Sequence, residues 1–193
     1  MNFELTEEQR LFQDAVGAFA RDHLAEGALE RAHAGEYRLL GITIAEEDGG
    51  QGGSLMDAVI AIQEVAMHCP RSADVIQAGS FGAIRVLAAY GTPDQKERYL
   101  KPLLAGETLI AVGMTEPDAG SAVTELRTTA TPDGEGLRIN GQKCFTSHSP
   151  EADVFLVYVR FGPGVGGIGS VLIPRDAEGL EFGQATPFLG GDD

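Results

Sequence analysis

From residue 1 to about residue 110, apolar side chains recur every three or four positions, the period of one helical face, and helix-boundary residues punctuate the pattern. Thr6 and Gln9 have capping-box spacing, in which each side chain satisfies a free amide of the first turn. Phe12, Val16, Phe19 and Ala20 then fall on one face, which predicts a helix over residues 6–24. The stretch from Ala25 to Glu30 makes at most a short helix. Ser54 with Asp57 opens another helix, on which Leu55, Ala58, Val59, Ile62, Val65 and Ala66 keep the rhythm until Cys69-Pro70 stops it. A third is expected over residues 72–90, ended by Gly91, with Gly79 and Gly82 either weakening it or admitting a close helix contact. Thr92-Pro93-Asp94-Gln95 supplies an N-cap, a proline at the first helical position and a box partner for a short helix to about Leu104.

After Gly106 the pattern changes to short β-rich runs between glycine and aspartate turns. Candidate strands are residues 109–115, 124–131, 137–140, 143–147, 154–161 and 170–173. Asn140-Gly141 suits a tight hairpin turn because both residues tolerate positive φ, and Pro132-Asp133-Gly134 is a second turn. No helical pattern separates these runs, so parallel βαβ units are excluded and antiparallel pairing is expected. The pattern therefore predicts an α+β chain: an N-terminal α-helical bundle over residues 1–110, then an antiparallel β-barrel-like domain over residues 111–193.

The 193 residues are 43% hydrophobic, enough to bury a sizeable core in one large domain or two small ones. Fourteen Lys and Arg stand against 29 Asp and Glu, a formal charge of −15, so neither nucleic acid nor an anionic membrane is an expected partner. Apolar runs such as Val154 to Val159 fall far short of the roughly 20 residues a membrane span needs. The acidic start, Met1 to Glu8, has neither the basic nor the apolar region of a signal peptide, so export is not expected. Cys69 and Cys144 are too few for a disulfide scaffold and are not spaced for zinc, which makes a reducing, cytoplasmic setting the expectation.

Several motifs carry less chemistry than their letters suggest. Gly164-Val165-Gly166-Gly167-Ile168-Gly169 spells a dinucleotide fingerprint, but that motif needs a helix N-terminus after it, and these glycines lead into the strand-like Ser170-Val171-Leu172-Ile173. A hairpin loop fits better. His23, His33, His68 and His148 are scattered without a second ligand at metal spacing. Ser147-His148 lacks a nucleophile elbow and an acidic orienter. Glu46-Glu47-Asp48 lacks the alternating ligands of a calcium loop and reads as a solvated acidic turn. The segment from Met114 to Ser121 is more informative. It leaves a strand and turns through Pro117 and Gly120, so the amides of Gly120 and Ser121 could converge on an anion such as a pyrophosphate; a plain connecting loop fits the same residues equally well.

Met114-Thr115-Glu116-Pro117 through Ala119-Gly120-Ser121, followed by Ile139-Asn140-Gly141-Gln142-Lys143 and Phe145-Thr146-Ser147, resembles the flavin-binding middle domain of acyl-CoA dehydrogenases. Gly41 to Gly53 is similar to the family's PEEYGG loop, and Tyr90 to Glu107 to its last N-terminal helix. The resemblance covers most of residues 1–189. It implies an FAD enzyme that desaturates an acyl-CoA thioester between its α and β carbons and passes electrons to an electron-transfer flavoprotein. Carried over by position, Val112, Met114, Thr115, Gly120, Ser121, Phe145, Thr146 and Ser147 would contact FAD. Met114 and Thr115 would meet the pyrimidine edge, Gly120 and Ser121 the pyrophosphate, Phe145 the ring and Ser147 the flavin N5. Ser121 would also lie near substrate. A donor at the pyrimidine edge stabilises arriving negative charge, and a hydroxyl at N5 tunes the acceptor atom. For Phe145, the alternative is an ordinary core aromatic of a strand.

The sequence also departs from the family. It stops at Asp193, inside the expected middle domain, and the resemblance places the catalytic glutamate in a C-terminal helical domain that is expected to be absent. No catalytic base and no metal ligand is therefore assigned, and a homo-oligomer or a complementing C-terminal chain is an expected partner. Only about 20 residues separate Arg21 from Leu40 where the family has a longer helical stretch. The alternative reading is a truncated, non-catalytic homologue acting as a binding or assembly subunit, and an oxidase on the same scaffold stays open.

Overall fold

In the computed structural model, which describes residues 4–26, 40–185, 187–188 and 191–192, the chain divides into two compact units, Met1–Glu107 and Thr108–Asp193. Three capping boxes open helices of the first unit. Thr6 and Gln9 exchange bonds of 3.0 and 3.2 Å at the start of α1 (Glu7–His23). Ser54 and Asp57 do the same for α2 (Leu55–Ala66), and Thr92 and Gln95 for the last helix of the unit. Each is a three-residue relationship that forms as soon as the first turn does. Leu24, Ala25 and Glu26 are turn and bend, and the remainder of the short-helix expectation, residues 27–30, lies outside the described residues.

The expected helix over residues 72–90 is two helices, α3 (Pro70–Ser80) and α4 (Ala83–Tyr90). Phe81 is extended and Gly82 takes φ +61°, which only glycine adopts freely, so the helix breaks there. Gly79 gives close approach to a loop and not to another helix: a Cβ there would strike the Leu40 side chain, and its carbonyl accepts the Gly41 N–H at 2.9 Å. α5 runs through Pro93–Gln95, Lys96–Leu100 and Lys101–Ala105, the middle segment wound as a π-turn, and ends on Gly106 at φ +72°. The core here is rich in small residues: Ala20, Ala58, Ala61, Val65, Ala73 and Ile76 are buried together with Ile42 from the preceding loop. Phe12 and Val16 pack on it as the periodicity indicates, whereas Phe19, Leu55 and Val59 are exposed. The Gly41–Gly53 loop folds back on itself through Gln51 N–H to Gly41 C=O (3.0 Å) and Gly53 N–H to Ile42 C=O (2.8 Å). Glu46 and Glu47 are solvated, but Asp48 pairs with Lys96 of α5 at 2.7 Å.

The second unit is a mixed sheet of β1 (Ile110–Gly113), β2 (Thr129–Asp133), β3 (Gly136–Asn140), β4 (Val154–Arg160) and β5 (Ile168–Pro174), with a small β6–β7 pair at Pro187–Phe188 and Gly191–Asp192. β4 is central and buried on both faces, with Val154, Phe155, Leu156, Val157 and Val159 all in the core. β5 runs antiparallel along one of its edges. On the other edge β1 lies parallel to it, Ile110 opposite Val154 through Gly113 opposite Val157, and β2 joins in parallel at Thr129 opposite Arg160. The expectation of purely antiparallel pairing is corrected accordingly. A parallel pair needs a long crossover, usually a helix; here residues 114–153, a loop and the β2–β3 hairpin, perform the crossing. Among the described residues the sheet is open, with β1, β3 and β5 each paired on one side only.

Two further expectations change. Asn140-Gly141 makes no hairpin turn: the β2–β3 hairpin turns at Gly134 and Glu135, between the paired Asp133 and Gly136. Residues 143–147 form no strand, because Lys143 and Cys144 bond the loop after β1 and not a ladder. The glycines 164–169 do form the β4–β5 hairpin connection, with a 3₁₀ turn at Val165–Gly167 leading into β5. Arg160, at the end of β4, donates to the carbonyls of Thr124, Leu126 and Gly164 and so holds the flanking loops.

Candidate functional site

Past β1 the chain makes a two-residue turn over Pro117-Asp118, closed by reciprocal 3.1 Å bonds between the backbones of Glu116 and Ala119. The turn buries Ala119 and leaves Gly120 and Ser121 exposed. Glu116 points inward and is only 7% exposed. Its carboxylate accepts from the Arg127 N–H (2.6 Å), the Thr128 N–H (2.9 Å), the Thr128 hydroxyl (2.6 Å) and the Lys143 ammonium (2.8 Å).

Lys143 reaches this position from the segment after β3. Its stem crosses Gly113, where a Cβ would lie 3.3 Å from Lys143 Cγ, and its ammonium also donates to the Met114 carbonyl at 3.1 Å. The next residue, Cys144, donates its N–H to the Thr115 carbonyl at 2.9 Å. Three bonds thus tie residues 114–116 to residues 143–144, and both segments emerge side by side. Gly141 adds a close approach: a Cβ there would lie 2.6 Å from Thr128 Cα.

Burial by itself would raise the Glu116 pKa, but the Lys143 ammonium, the Thr128 hydroxyl and the two backbone donors outweigh it and lower it from 4.5 to about 2. A carboxyl depressed on folding contributes stability that is complete above its unfolded value, near 4.5, and is lost as pH falls toward 2. Glu116→Gln removes that contribution. The gap in urea midpoint between the parent chain and Glu116→Gln is therefore expected to be widest above pH 5 and to narrow steadily toward pH 2; a gap independent of pH would contradict the depressed carboxylate.

The residues singled out from sequence fall into two groups. Val112, Met114 and Thr115 are half-buried at the end of β1 and just beyond it, and Gly120 and Ser121 are exposed after the turn. Phe145, Thr146 and Ser147 follow Cys144, so the bonds above bring their segment against Met114 and Thr115. Phe145 is no core aromatic: it is 84% exposed and holds φ +54°, a left-handed conformation unfavourable by about 1–2 kcal/mol for a residue with a side chain. His148 is left-handed as well, at φ +62°. An exposed aromatic on a backbone fixed in that conformation is a ready platform for a flat ligand. Sequence reasoning placed Glu116 and Lys143 in these motifs without giving them a role, and passed over Thr128. The opposite charges of Glu116 and Lys143 were visible, but their meeting depends on contacts across 27 residues.

Comparison with known proteins matches both units to one family. The N-terminal domain of acyl-CoA dehydrogenases matches residues 6–107 and the middle domain of the same enzymes matches residues 111–193. The short-chain-specific acyl-CoA dehydrogenase of Clostridium acetobutylicum is 30% identical over 203 residues, spanning 98% of this chain and 54% of its own. A chain from the structure of the electron transferring flavoprotein of Acidaminococcus fermentans, solved to study flavin-based electron bifurcation, is 29% identical with a TM-score of 0.82, over 96% of this chain and 52% of that one. PigA with FAD and proline is 26% identical with a TM-score of 0.87, over 100% of this chain and 55% of that one. A helical domain followed by a sheet domain is the order of these two family domains. The chain belongs to the acyl-CoA dehydrogenase family. It spans about half the length of the curated relatives it matches. No helix among the described residues is long and apolar enough to cross a membrane.

Proposed function

We propose that this chain is the FAD-contacting part of an acyl-CoA dehydrogenase that desaturates an acyl-CoA thioester and passes electrons to an electron-transfer flavoprotein in a reducing, cytoplasmic setting. The observation that carries this reading is the pairing of residues 114–116 with residues 143–144, which puts every candidate contact on two adjoining segments. The residues present fit a flavin: Phe145 offers an exposed ring, the hydroxyl-bearing Thr146 and Ser147 follow it directly, Thr115 is bonded to the preceding Cys144, and Gly120 and Ser121 are exposed, with open space where a Cβ of Gly120 would stand. FAD, when bound, supplies the acceptor for the electrons removed from the α and β carbons of the thioester.

In this reading Met114 and Thr115 hold the pyrimidine edge, Gly120 and Ser121 the pyrophosphate, Phe145 packs beside the ring, Ser147 donates toward N5, and Val112 and Thr146 are further FAD contacts. Ser121 also faces the substrate. Glu116 is unsuited to take the α-proton: with a pKa of about 2 and four donors on its carboxylate, it is a poor base at neutral pH. The base therefore comes from outside these residues, from a C-terminal region or a second chain, and the working form is an oligomer or a complemented assembly.

The test is anaerobic addition of short- and medium-chain acyl-CoA to the FAD-loaded chain complemented with the C-terminal region of the Clostridium acetobutylicum relative. Bleaching of the visible flavin band with formation of enoyl-CoA is the expected result. Bound flavin that no acyl-CoA bleaches would favour a binding or assembly role.

A further inference from the structure

We propose that the buried Lys143–Glu116 pair is a positioning clamp that holds residues 112–121 and 144–147 together as one preorganised ligand face; its use for flavin rests on the function proposed above. Neither Lys143 nor Glu116 is itself a candidate contact; the Lys143 ammonium bonds the carbonyl of one, Met114. Their side chains are 11% and 7% exposed, and they act from beneath the exposed face.

The clamp is built from bonds that converge on both segments. The ammonium of Lys143 bonds Met114 C=O and the Glu116 carboxylate, so a residue of the second segment is anchored to two of the first. Thr128 bonds the same carboxylate oxygen as Lys143, through its N–H and its hydroxyl, and the Arg127 amide bonds the other oxygen, which ties the pair to the residues just before β2. The adjoining Cys144–Thr115 backbone bond is then kept in register, and Phe145 follows directly at φ +54°. A residue with a side chain stays in that conformation only where its surroundings determine it, and Lys143 and Cys144 are the surroundings that do so here. An ion pair of this kind adds little net stability over an apolar pair, because desolvation offsets the attraction. Its contribution is geometric: a site must be held to within about 0.5 Å by supporting groups to bind well.

The experiment compares the parent chain with Lys143→Met, Lys143→Arg and the double variant Glu116→Gln/Lys143→Met, reading amide hydrogen exchange and FAD titration on each. The double variant leaves no unpaired buried charge and so remains folded if Lys143→Met does not. Amides of residues 114–121 and 144–147 are expected to exchange at least about tenfold faster in both variants lacking Lys143, and in the double variant, which strands no buried charge, the β4–β5 ladder is expected to keep its protection. FAD affinity is expected to fall about tenfold in parallel and to return in part with Lys143→Arg, which preserves the charge. Unchanged exchange in these segments overturns the clamp. Faster exchange with unchanged FAD affinity overturns its role in the ligand face. If the parent itself binds no FAD, the flavin reading fails, and the clamp is decided by the exchange data alone.

Discussion

Replacing Glu116 with alanine is expected to destabilise the second unit by about 3–5 kcal/mol, the cost of leaving one member of a buried ion pair without its partner. The substitution strands the Lys143 ammonium, 11% exposed, with only the Met114 carbonyl to bond. It also removes the acceptor for the Thr128 N–H, the Thr128 hydroxyl and the Arg127 N–H. Urea titration followed by amide protection in β4 and β5 measures this directly. Protection should collapse at much lower denaturant in Glu116→Ala while α1 and α2 of the first unit hold. A midpoint equal to the parent's would mean that the Glu116 network does not support the sheet.

Gly141→Ala carries the second-largest expected effect, a loss of about 1–3 kcal/mol from overpacking. The added methyl group would lie 2.6 Å from the Cα of Thr128, and backbone cannot swing aside as the end of a long side chain can. Displacing Thr128 also loosens its two bonds to Glu116, so the damage should reach the candidate site. Thermal unfolding of Gly141→Ala against a control, Gly134→Asn, checks the cause. Gly134 takes φ +62° with no atom near its Cβ, a turn position that Asn tolerates. A large loss at Gly141 and a small one at Gly134 is the expected pattern; equal losses would mean that Gly141 serves as an ordinary turn residue.

That contrast also shows which features the sequence makes readable. The capping boxes at Thr6, Ser54 and Thr92 are local, and each was legible because its partners lie three residues apart. The change from helical to β-rich pattern is likewise a property of short windows, and the observed order of helices then sheet follows it. The break at Phe81-Gly82 was hidden because glycine within a helical rhythm can either remain helical or adopt positive φ, and neighbouring packing decides between them. Exposure of Leu55 and Val59 shows that periodicity marks an apolar face without saying how much of it is covered.

The strand pairing was hidden for a different reason. Leu109 and Asp153 exchange bonds of 2.8 and 2.9 Å and align β1 with β4, yet nothing in either local sequence announces a partner so distant. The same holds for residues 143–147, whose β-rich composition suggested a strand while Lys143 and Cys144 bond the 114–116 loop. In the candidate site, the motif letters identified the segments; the long-range bonds of Glu116, Thr128 and Lys143 determine how those segments meet.

The measurement that bears most directly on the flavin reading is visible absorbance of the 193-residue chain after incubation with FAD and removal of free flavin, run alone and with the C-terminal region of the Clostridium acetobutylicum relative added. The expected result is a retained flavin spectrum, stronger in the complemented sample and weakened by Lys143→Met. Absence of flavin from both samples of a folded chain would contradict it.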